Sequence, residues 1–518
     1  MIKLQDIYEK HFEGNKLRKP ILIENPGTYL LSDNIEIEFD PTYPSQKEID
    51  DLPSLRYGYF GGILLIGKNI HVDLNGHEIK MTEKFALQQR FFSIFEMTNS
   101  PFPLHDGLPL SMTKEQWKTG ENITIRNGNI GRSSHTGIHG NNNMNINIYS
   151  LNIYDFEVGG IMTNGATDVN IHCCAIGPNF QNLWVNAKLS AAQQLLHFYE
   201  NVIPQQEPMD HDLEELKKEV EDTVKATSVK EVPIIFRNDH FVCDGTVYGL
   251  SLHRKGVAIG GHSVPTENAI SDMSSNHYCI KNISIQNLKG NVDEKTSYVT
   301  KDGKILRDVA GQIIDIDYVL QNQTFDILTK VQISSYKWLK TYPDFKTTFF
   351  VPENILDFYD SPHSSFDNFQ TLVDESLTPK MGRDIMIHVN KGVIAVRLDS
   401  LSNVRMQNVN IQQIENIANH QVLNTQYLVS AMVEDSLNEY KGNDTLALTC
   451  SNVKEGHFEN ITIEKITSKH GTAYAILIMN HCENIQSHYN RINIGKENKQ
   501  NCGILIQDSC KGIKVSCA

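Results

Sequence analysis

A short strand-like phrase recurs along the chain: Asn or Asp, a β-branched residue, a polar residue and another aliphatic residue. It occurs as Asn122-Ile-Thr-Ile, Asn145-Ile-Asn-Ile and Asp168-Val-Asn-Ile, so that both steps, 145 − 122 and 168 − 145, are 23 residues. A fixed period of this size indicates a stack of repeated units, because a single unit cannot bury its apolar face alone.

The aliphatic residues of each copy fall at every second position, which is the periodicity of a strand with one buried face. Gly and Asn punctuate the copies, and both tolerate the left-handed backbone conformation that a sharp corner needs. Further copies begin at Asn69, Asn282, Asn403, Asn460, Asn484 and Gly512. The 24 residues from 460 to 484 are interpreted as one more step. The pattern predicts a parallel β-solenoid in which Asn side chains at equivalent positions hydrogen-bond from coil to coil.

The opening Pro26-Gly-Thr-Tyr-Leu-Leu31, followed by Ile70-His-Val-Asp-Leu-Asn-Gly76, resembles the first coils of the right-handed parallel β-helix (pectin-lyase-like) superfamily. The resemblance covers roughly 20–180, 240–290 and 385–518. It implies an all-β, right-handed parallel β-helix, and enzymes of this superfamily act on polysaccharides at the outer surface of the column. The catalytic signatures of pectate lyases, polygalacturonases and alginate epimerases are absent from this sequence. No family active site is therefore carried over.

Two stretches interrupt the strand pattern and predict insertions in the column. Apolar residues at helical spacing around 195–203 and 213–224 predict a helical hairpin, and Asp302-Gly303 suits the turn of a β-hairpin. The predicted organisation is 1–18, an N-terminal helix or cap; 19–180, the first coils; 181–238, the helical insertion; 239–289, central coils; 290–380, a mixed α/β insertion with a β-hairpin; and 381–518, the C-terminal coils.

Composition narrows the expected partners and location. A net charge of −15 argues against nucleic acid, whose binding needs a clustered basic surface. The sequence has no apolar run of the roughly 20 residues that a membrane span needs, and its N-terminus lacks the apolar core of a secretory signal. We expect a cytoplasmic protein, or a component of a virion or released particle. The apolar stripe of the 181–238 hairpin would lie on the column or form a homo-oligomer contact.

Nine cysteines occur without paired zinc-ligand spacing, and an odd number without a signal favours reduced thiols. No glycine-rich phosphate loop or metal-ligand set is present in the sequence. We therefore expect neither a cofactor nor a metal.

Two clusters of basic residues are candidates for catalysis. A lysine beside an arginine is a candidate base for abstracting the proton next to a uronate carboxyl, and arginine can bind that carboxylate through two hydrogen bonds. The alternative is that these residues are polar corners before strands. The candidate catalytic residues are His253, Arg254, Lys255, Asp384, His388, Lys391 and Arg397.

Other residues are candidates for binding substrate. One cluster runs from Arg132 to His139, and Asp155 follows it one coil later. An aromatic-rich segment that contains Trp338 and Tyr342 could form a wall over a sugar-binding groove or, alternatively, a small satellite core. The candidate binding residues are Arg132, His135, His139, Asp155, Trp338 and Tyr342. Asp155 with Asp168, or Asp384 with Asp399, would suit glycoside hydrolysis if the coils place them about 5–10 Å apart.

Two functions of different kinds remain open. The first is a carbohydrate-binding or polysaccharide-processing protein, lyase-like or hydrolase-like, that uses the outer face of the solenoid. The second is a non-catalytic structural component, at a surface or in a virion, in which the rigid column supports subunit contacts.

Overall fold

The structure, a computed structural model of the chain, describes ten main ranges and a few isolated positions. The ranges are 2–39, 59–82, 92–99, 117–179, 247–254, 277–290, 392–416, 444–469, 471–495 and 500–517. Apart from isolated positions, the predicted helical insertion at 181–238 lies outside the described residues. The predicted insertion at 290–380 lies outside them after Gly290.

The described residues form an all-β architecture of two sheets, whose strands are numbered β1 to β26 in chain order. Sheet A contains β1 (Ile2–Lys3), β2 (Phe12–Glu13), β3 (Lys16–Leu17), β5 (Gly27–Leu30), β6 (Ile35–Ile37), β8 (Lys68–Asp73), β9 (Glu78–Met81), β11 (Glu121–Ile130), β13 (Met144–Ile153), β15 (Thr167–His172), β16 (Ala175–Ile176), β18 (Tyr278–Gly290), β20 (Ser402–Asn416), β22 (Lys454–Ser468), β24 (Glu483–Ile494) and β26 (Lys514–Cys517). Sheet B contains β4 (Ile21–Ile23), β7 (Gly61–Leu65), β10 (Ser93–Glu96), β12 (Thr136–Asn141), β14 (Gly159–Asn164), β17 (Val247–His253), β19 (Val393–Asp399), β21 (Thr445–Ser451), β23 (Thr472–Met479) and β25 (Gln500–Ile506).

The chain visits the two sheets in turn, so that one pass through both makes a coil. From β11 onward each sheet A strand or strand pair is followed by a sheet B strand, and each strand pairs in parallel with the corresponding strand of the next coil. The short β2–β3 pair is antiparallel. This parallel, coil-by-coil pairing confirms the predicted all-β class and the stacking of repeat units.

The core is built from the aliphatic residues of the repeat. Ile125 pairs with Ile148, and Ile148 with Ile171, on neighbouring strands of sheet A. All three side chains are fully buried. Residues 23 positions apart therefore stack in a shared apolar interior, as the period predicts.

An asparagine ladder marks the corner where the chain enters strands β8, β11 and β13 of sheet A. The Asn145 side-chain amide donates to Asn122 Oδ1 at 3.0 Å, and that of Asn122 donates to Asn69 Oδ1 at 2.6 Å. All three residues have a φ between 55° and 58°, the left-handed conformation that Asn tolerates better than most residues. The predicted amide ladder is confirmed here.

The later copies of the phrase belong to two different corners, which corrects the interpretation of 460 to 484 as one step. Asn460 donates to Asn408 Oδ1 at 3.0 Å, whereas Asn484 donates to Glu455 Oε1 at 2.8 Å. Lys454 pairs with Glu483, so the step between these coils is 483 − 454 = 29 residues. The same Asn-aliphatic phrase serves both corners because each needs a left-handed residue before a strand.

The N-terminal segment is only partly helical. The helix α1 spans Leu4–Ile7 and a 3₁₀ turn follows at Glu9–His11. Leu4 is fully buried against the core, while the short strand β1 pairs with β5. No helix in the described part of the chain is both long and apolar enough to cross a membrane.

Candidate functional site

Sheet B carries a second repeat, six residues long, that places mostly polar side chains, with Met162 as an exception, on its outer face. Its third residue is aliphatic or aromatic and buried in the core, while its fourth and sixth residues alternate with the core positions and lie on the outer face. The copies pair position for position across neighbouring strands. They are 93–98, 136–141, 159–164, 248–253, 394–399 and 446–451.

The second residue of this repeat is small in most copies because neighbouring atoms approach closely there. A Cβ added to Gly160 would lie 2.5 Å from Ile176 Cγ2 and 2.7 Å from the Gly249 carbonyl oxygen. The equivalent residues of the following coils are Gly249 and Ala395. This close packing fixes the position of sheet B and hence of the polar residues on its outer face.

We call the polar row on this face the sheet B track. It crosses five neighbouring strands, β10, β12, β14, β17 and β19. Its residues are Glu96, His139, Asn164, His253, Arg397 and Asp399.

One end of the track is a buried carboxylate–imidazole pair. His139 Nδ1 lies 2.7 Å from Glu96 Oε2, and the Thr98 hydroxyl donates to Glu96 Oε1 at 2.7 Å. The Asn164 amide nitrogen lies 3.4 Å from His139 Nε2 and donates to Asn141 Oδ1 at 3.0 Å. Both histidine contacts are satisfied by the neutral tautomer that carries its proton on Nδ1.

The other end is an ion cluster around a buried aspartate. Arg397 Nη2 donates to Asp399 Oδ2 at 2.9 Å, the Ser400 hydroxyl donates to Oδ1 at 3.0 Å, and His253 Nε2 lies 3.3 Å from Oδ2. Burial raises the pKa of the Asp399 carboxyl, but His253 and Arg397 outweigh burial and hold the pKa below its usual value. The Arg397 guanidinium also lies 5.7 Å from the centre of the Tyr248 ring. Asp399 is therefore an ionised carboxylate at neutral pH.

This cluster can perform acid–base chemistry beside a cation. A carboxylate that contacts an imidazole orients the ring and stabilises its protonated form, which suits a histidine that accepts a proton. Solvent reaches this end of the track, because the side chains of His253 and Arg397 are 16% and 14% exposed while that of Glu96 is fully buried.

The two carboxylates of the track are too far apart to act as a pair. Four strand spacings separate β10 from β19, which is about 19 Å at the usual spacing of neighbouring strands. Paired carboxylates in glycosidases lie within roughly 10 Å of each other. Glu96 and Asp399 therefore belong to separate polar groups. Among the residues that the structure describes, none of the groupings of His, Cys, Asp and Glu could hold a metal ion.

The structure brings together two of the candidate catalytic residues. His253 and Arg397 lie on adjacent strands and share Asp399, and the Arg254 backbone N–H donates to the Asp399 carbonyl at 3.1 Å. His139 lies on the same face, two strands away from His253. Six candidates lie outside the described residues: Lys255, Asp384, His388, Lys391, Trp338 and Tyr342.

The other candidate binding residues lie elsewhere, at a corner between the sheets. Arg132 Nε is 3.7 Å from Asp155 Oδ2, and both side chains are largely buried. The His135 carbonyl accepts the backbone N–H of Val158 and Gly159. Asp155 follows the end of β13, whereas Asp168 lies beside the start of that strand, so these two aspartates do not form a pair.

Sequence reasoning missed Glu96 and Asn164 and named Asp399 only as a partner for Asp384. The available signal was the six-residue repeat of sheet B, whose fourth and sixth positions hold these residues. It was hidden because several of its copies lie far apart in the sequence, while the Asn-rich phrase of sheet A is more regular.

Neither a protein-family model nor a curated protein sequence matches this chain. Among solved structures, it is similar to the Streptococcus pneumoniae surface protein and adhesin PfbA, with 8% sequence identity and a TM-score of 0.23 over 99% of this chain and 94% of that one. A similarity at this TM-score supports neither a fold nor a function. The all-β architecture follows from the strand pairing of the two sheets alone.

Proposed function

We propose that the chain is a right-handed parallel β-helix of the pectin-lyase-like type that binds polysaccharide along the outer face of sheet B and cleaves it as a lyase does. The observation that carries the proposal is the His253–Asp399–Arg397 cluster, in which an imidazole and a guanidinium from adjacent coils share one buried carboxylate. A polymer that reaches the exposed parts of His253 and Arg397 would contact side chains from two adjacent coils, about 4.8 Å apart.

The cluster suits β-elimination from an acidic sugar. Arg397 would pair with the uronate carboxylate, which lowers the energy of the negative charge that develops when the adjacent carbon loses its proton. His253 would accept that proton, and the electron pair of the C–H bond would form a carbon–carbon double bond. The glycosidic C–O bond breaks, and its oxygen takes a proton from water to become the end of the released chain. Elimination of this kind needs no second carboxylate, which fits the distance between Glu96 and Asp399.

The test is a panel of acidic and neutral polysaccharides, assayed for absorbance from unsaturated uronates and for new reducing ends. We expect absorbance to appear with at least one acidic polymer and to fall at least about 100-fold in His253→Ala, the lower range for loss of a general acid or base. Arg397→Lys should lower kcat as well as raise KM, because the arginine both binds the carboxylate and stabilises the charge that develops on it. The matched control is His457→Ala, an exposed histidine on sheet A, which should keep full activity.

Inactivity of the wild-type chain on every polymer would refute the lyase proposal, as would a product that the His253→Ala variant makes at the wild-type rate. Reducing ends without unsaturated uronates would indicate hydrolysis instead, and would locate the catalytic carboxylates away from the sheet B track.

A second candidate is a rigid structural component without catalysis, in which the 181–238 segment contacts another copy. The asparagine ladders favour it, because side-chain hydrogen bonds that continue from coil to coil stiffen a column without creating a binding site. Sedimentation of the full chain and of a variant lacking 181–238 separates the two functions. A defined oligomer that dissociates in the deletion variant, together with inactivity on all polymers, would support the structural role.

A further inference from the structure

Two cysteines occupy equivalent positions in the last two coils. Glu483 and Lys511 form a parallel β-bridge, so the residues immediately before them, Cys482 and Cys510, face each other across the same gap. Backbone hydrogen bonds hold this register: the Lys511 N–H donates to the Cys482 carbonyl at 2.9 Å, and the Asn484 N–H donates to the Lys511 carbonyl at 2.9 Å.

Neighbouring parallel strands place their Cα atoms about 4.8 Å apart, which is within the range of roughly 4.4–6.8 Å that a disulfide requires. The backbone therefore already has the separation that a cross-link needs, and the side chains lie on the same side of it.

The two thiols differ in accessibility. Cys482 is fully buried, and its thiol donates to the Met479 carbonyl at 3.1 Å and accepts the Val453 N–H at 3.3 Å. Cys510 is partly exposed and packs against the core. An oxidant in solution therefore reaches Cys510 first.

We propose that Cys482 and Cys510 form a redox modification site, at which a small-molecule disulfide creates a reversible cross-link between the last coil and the coil before it. The Cys510 thiolate attacks the small disulfide, forms a mixed disulfide and releases one small thiol. Cys482 then loses its proton and attacks Cys510 Sγ, which releases the second small thiol. Two protein thiols are oxidised and one small disulfide is reduced to two thiols.

The second step is the slow one. Burial raises the pKa of the Cys482 thiol to about 12, so little thiolate is present at neutral pH. Alkaline conditions should therefore speed closure of the cross-link. The register also makes the reaction selective, since among the cysteines that the structure describes no other two occupy paired positions: Cys502 pairs with Tyr474, and Cys450 with Ile478.

The experiment treats the folded full-length chain with oxidised glutathione, a linear small-molecule disulfide, and maps the products by mass spectrometry without reduction. We expect one cross-linked peptide pair joining Cys482 to Cys510, with the loss of two hydrogen atoms, and its disappearance on addition of reduced dithiothreitol. Cys510→Ser should abolish the product, whereas Cys502→Ser, in the same coil, should leave it unchanged. Circular dichroism of both variants confirms that each is folded.

A stable mixed disulfide on Cys510 without closure would overturn the proposal, and so would a cross-link of Cys482 to Cys450 or Cys502. Full retention of free thiols in the folded chain under conditions that oxidise the unfolded chain would also overturn it. None of these outcomes bears on the polysaccharide proposal, because the two cysteines lie beyond the coils that carry the sheet B track.

Discussion

Asp399→Asn tests whether the ion cluster of sheet B is a buried electrostatic unit. The substitution keeps the size and one acceptor oxygen but removes the charge that compensates Arg397 and His253, which lie 2.9 and 3.3 Å from Oδ2. Removal of one partner from a buried ion pair costs about 3–5 kcal/mol, because the remaining charge is left without compensation. We expect the free energy of unfolding in urea at pH 7 to fall by about this amount.

The effect of Asp399→Asn on the free energy of unfolding should also depend on pH, in a direction that follows from the pKa of Asp399. The pKa of Asp399 is lowered in the folded chain, so its ionisation stabilises the fold above the unfolded-state pKa of about 3.9. This stabilisation is lost as the pH falls through the folded-state pKa. The contribution of the Asp399 carboxylate to the difference in stability between the wild type and Asp399→Asn should therefore shrink as the pH falls below about 5.

The matched control is Asp508→Asn, an exposed aspartate in the turn after β25, which should change the free energy of unfolding by less than about 0.5 kcal/mol. If Asp399→Asn costs no more than this control, or if its effect does not depend on pH, the buried cluster described here is wrong.

Two further substitutions test the corners and the close packing of the coils. Asn145→Ala should lower the free energy of unfolding by about 1–2 kcal/mol, because Ala is disfavoured at a φ of 56°. Asn145→Gly should lower it less, because Gly adopts this φ freely. Equal losses for the two variants in urea unfolding would contradict the corner geometry. Gly160→Ala should cost about 1–3 kcal/mol because its Cβ would meet Ile176 and a backbone carbonyl. Gly503 occupies the equivalent position of the last coil and has open space around it, so Gly503→Ala should hardly change the free energy of unfolding. If Gly160→Ala were as stable as this control, the coils would be packed less tightly at Gly160 than the structure shows.

The sequence was most informative where the repeat is regular. The 23-residue steps predicted the stacking of Ile125, Ile148 and Ile171 and the amide ladder through Asn145, because an unbroken period leaves one way to align the strands. It was misleading at Asn460 and Asn484, since the same phrase serves two corners of a coil and only the strand pairing tells them apart.

The site was harder to predict because its residues come from strands that lie far apart in the sequence. His253 and Arg397 are 144 positions apart (397 − 253) yet lie on adjacent strands. Their contact through Asp399 depends on the register of β17 and β19, which the sequence does not show directly. Glu96 was overlooked because β10 lacks the Asn-rich phrase of sheet A and the small second residue of the other sheet B copies.

The stacking of residues one coil apart is the claim on which both the fold and the site depend, and a double-mutant cycle tests it most directly. The free energies of unfolding of Ile125→Ala, Ile148→Ala and the double variant should show a coupling of about 0.5–3 kcal/mol, because the two side chains pair in adjacent coils. Ile148→Ala combined with Ile463→Ala, buried four strands away, should be additive within about 0.5 kcal/mol. Additivity of the Ile125 and Ile148 substitutions, to the same precision as the distant pair, would contradict the coiled stack.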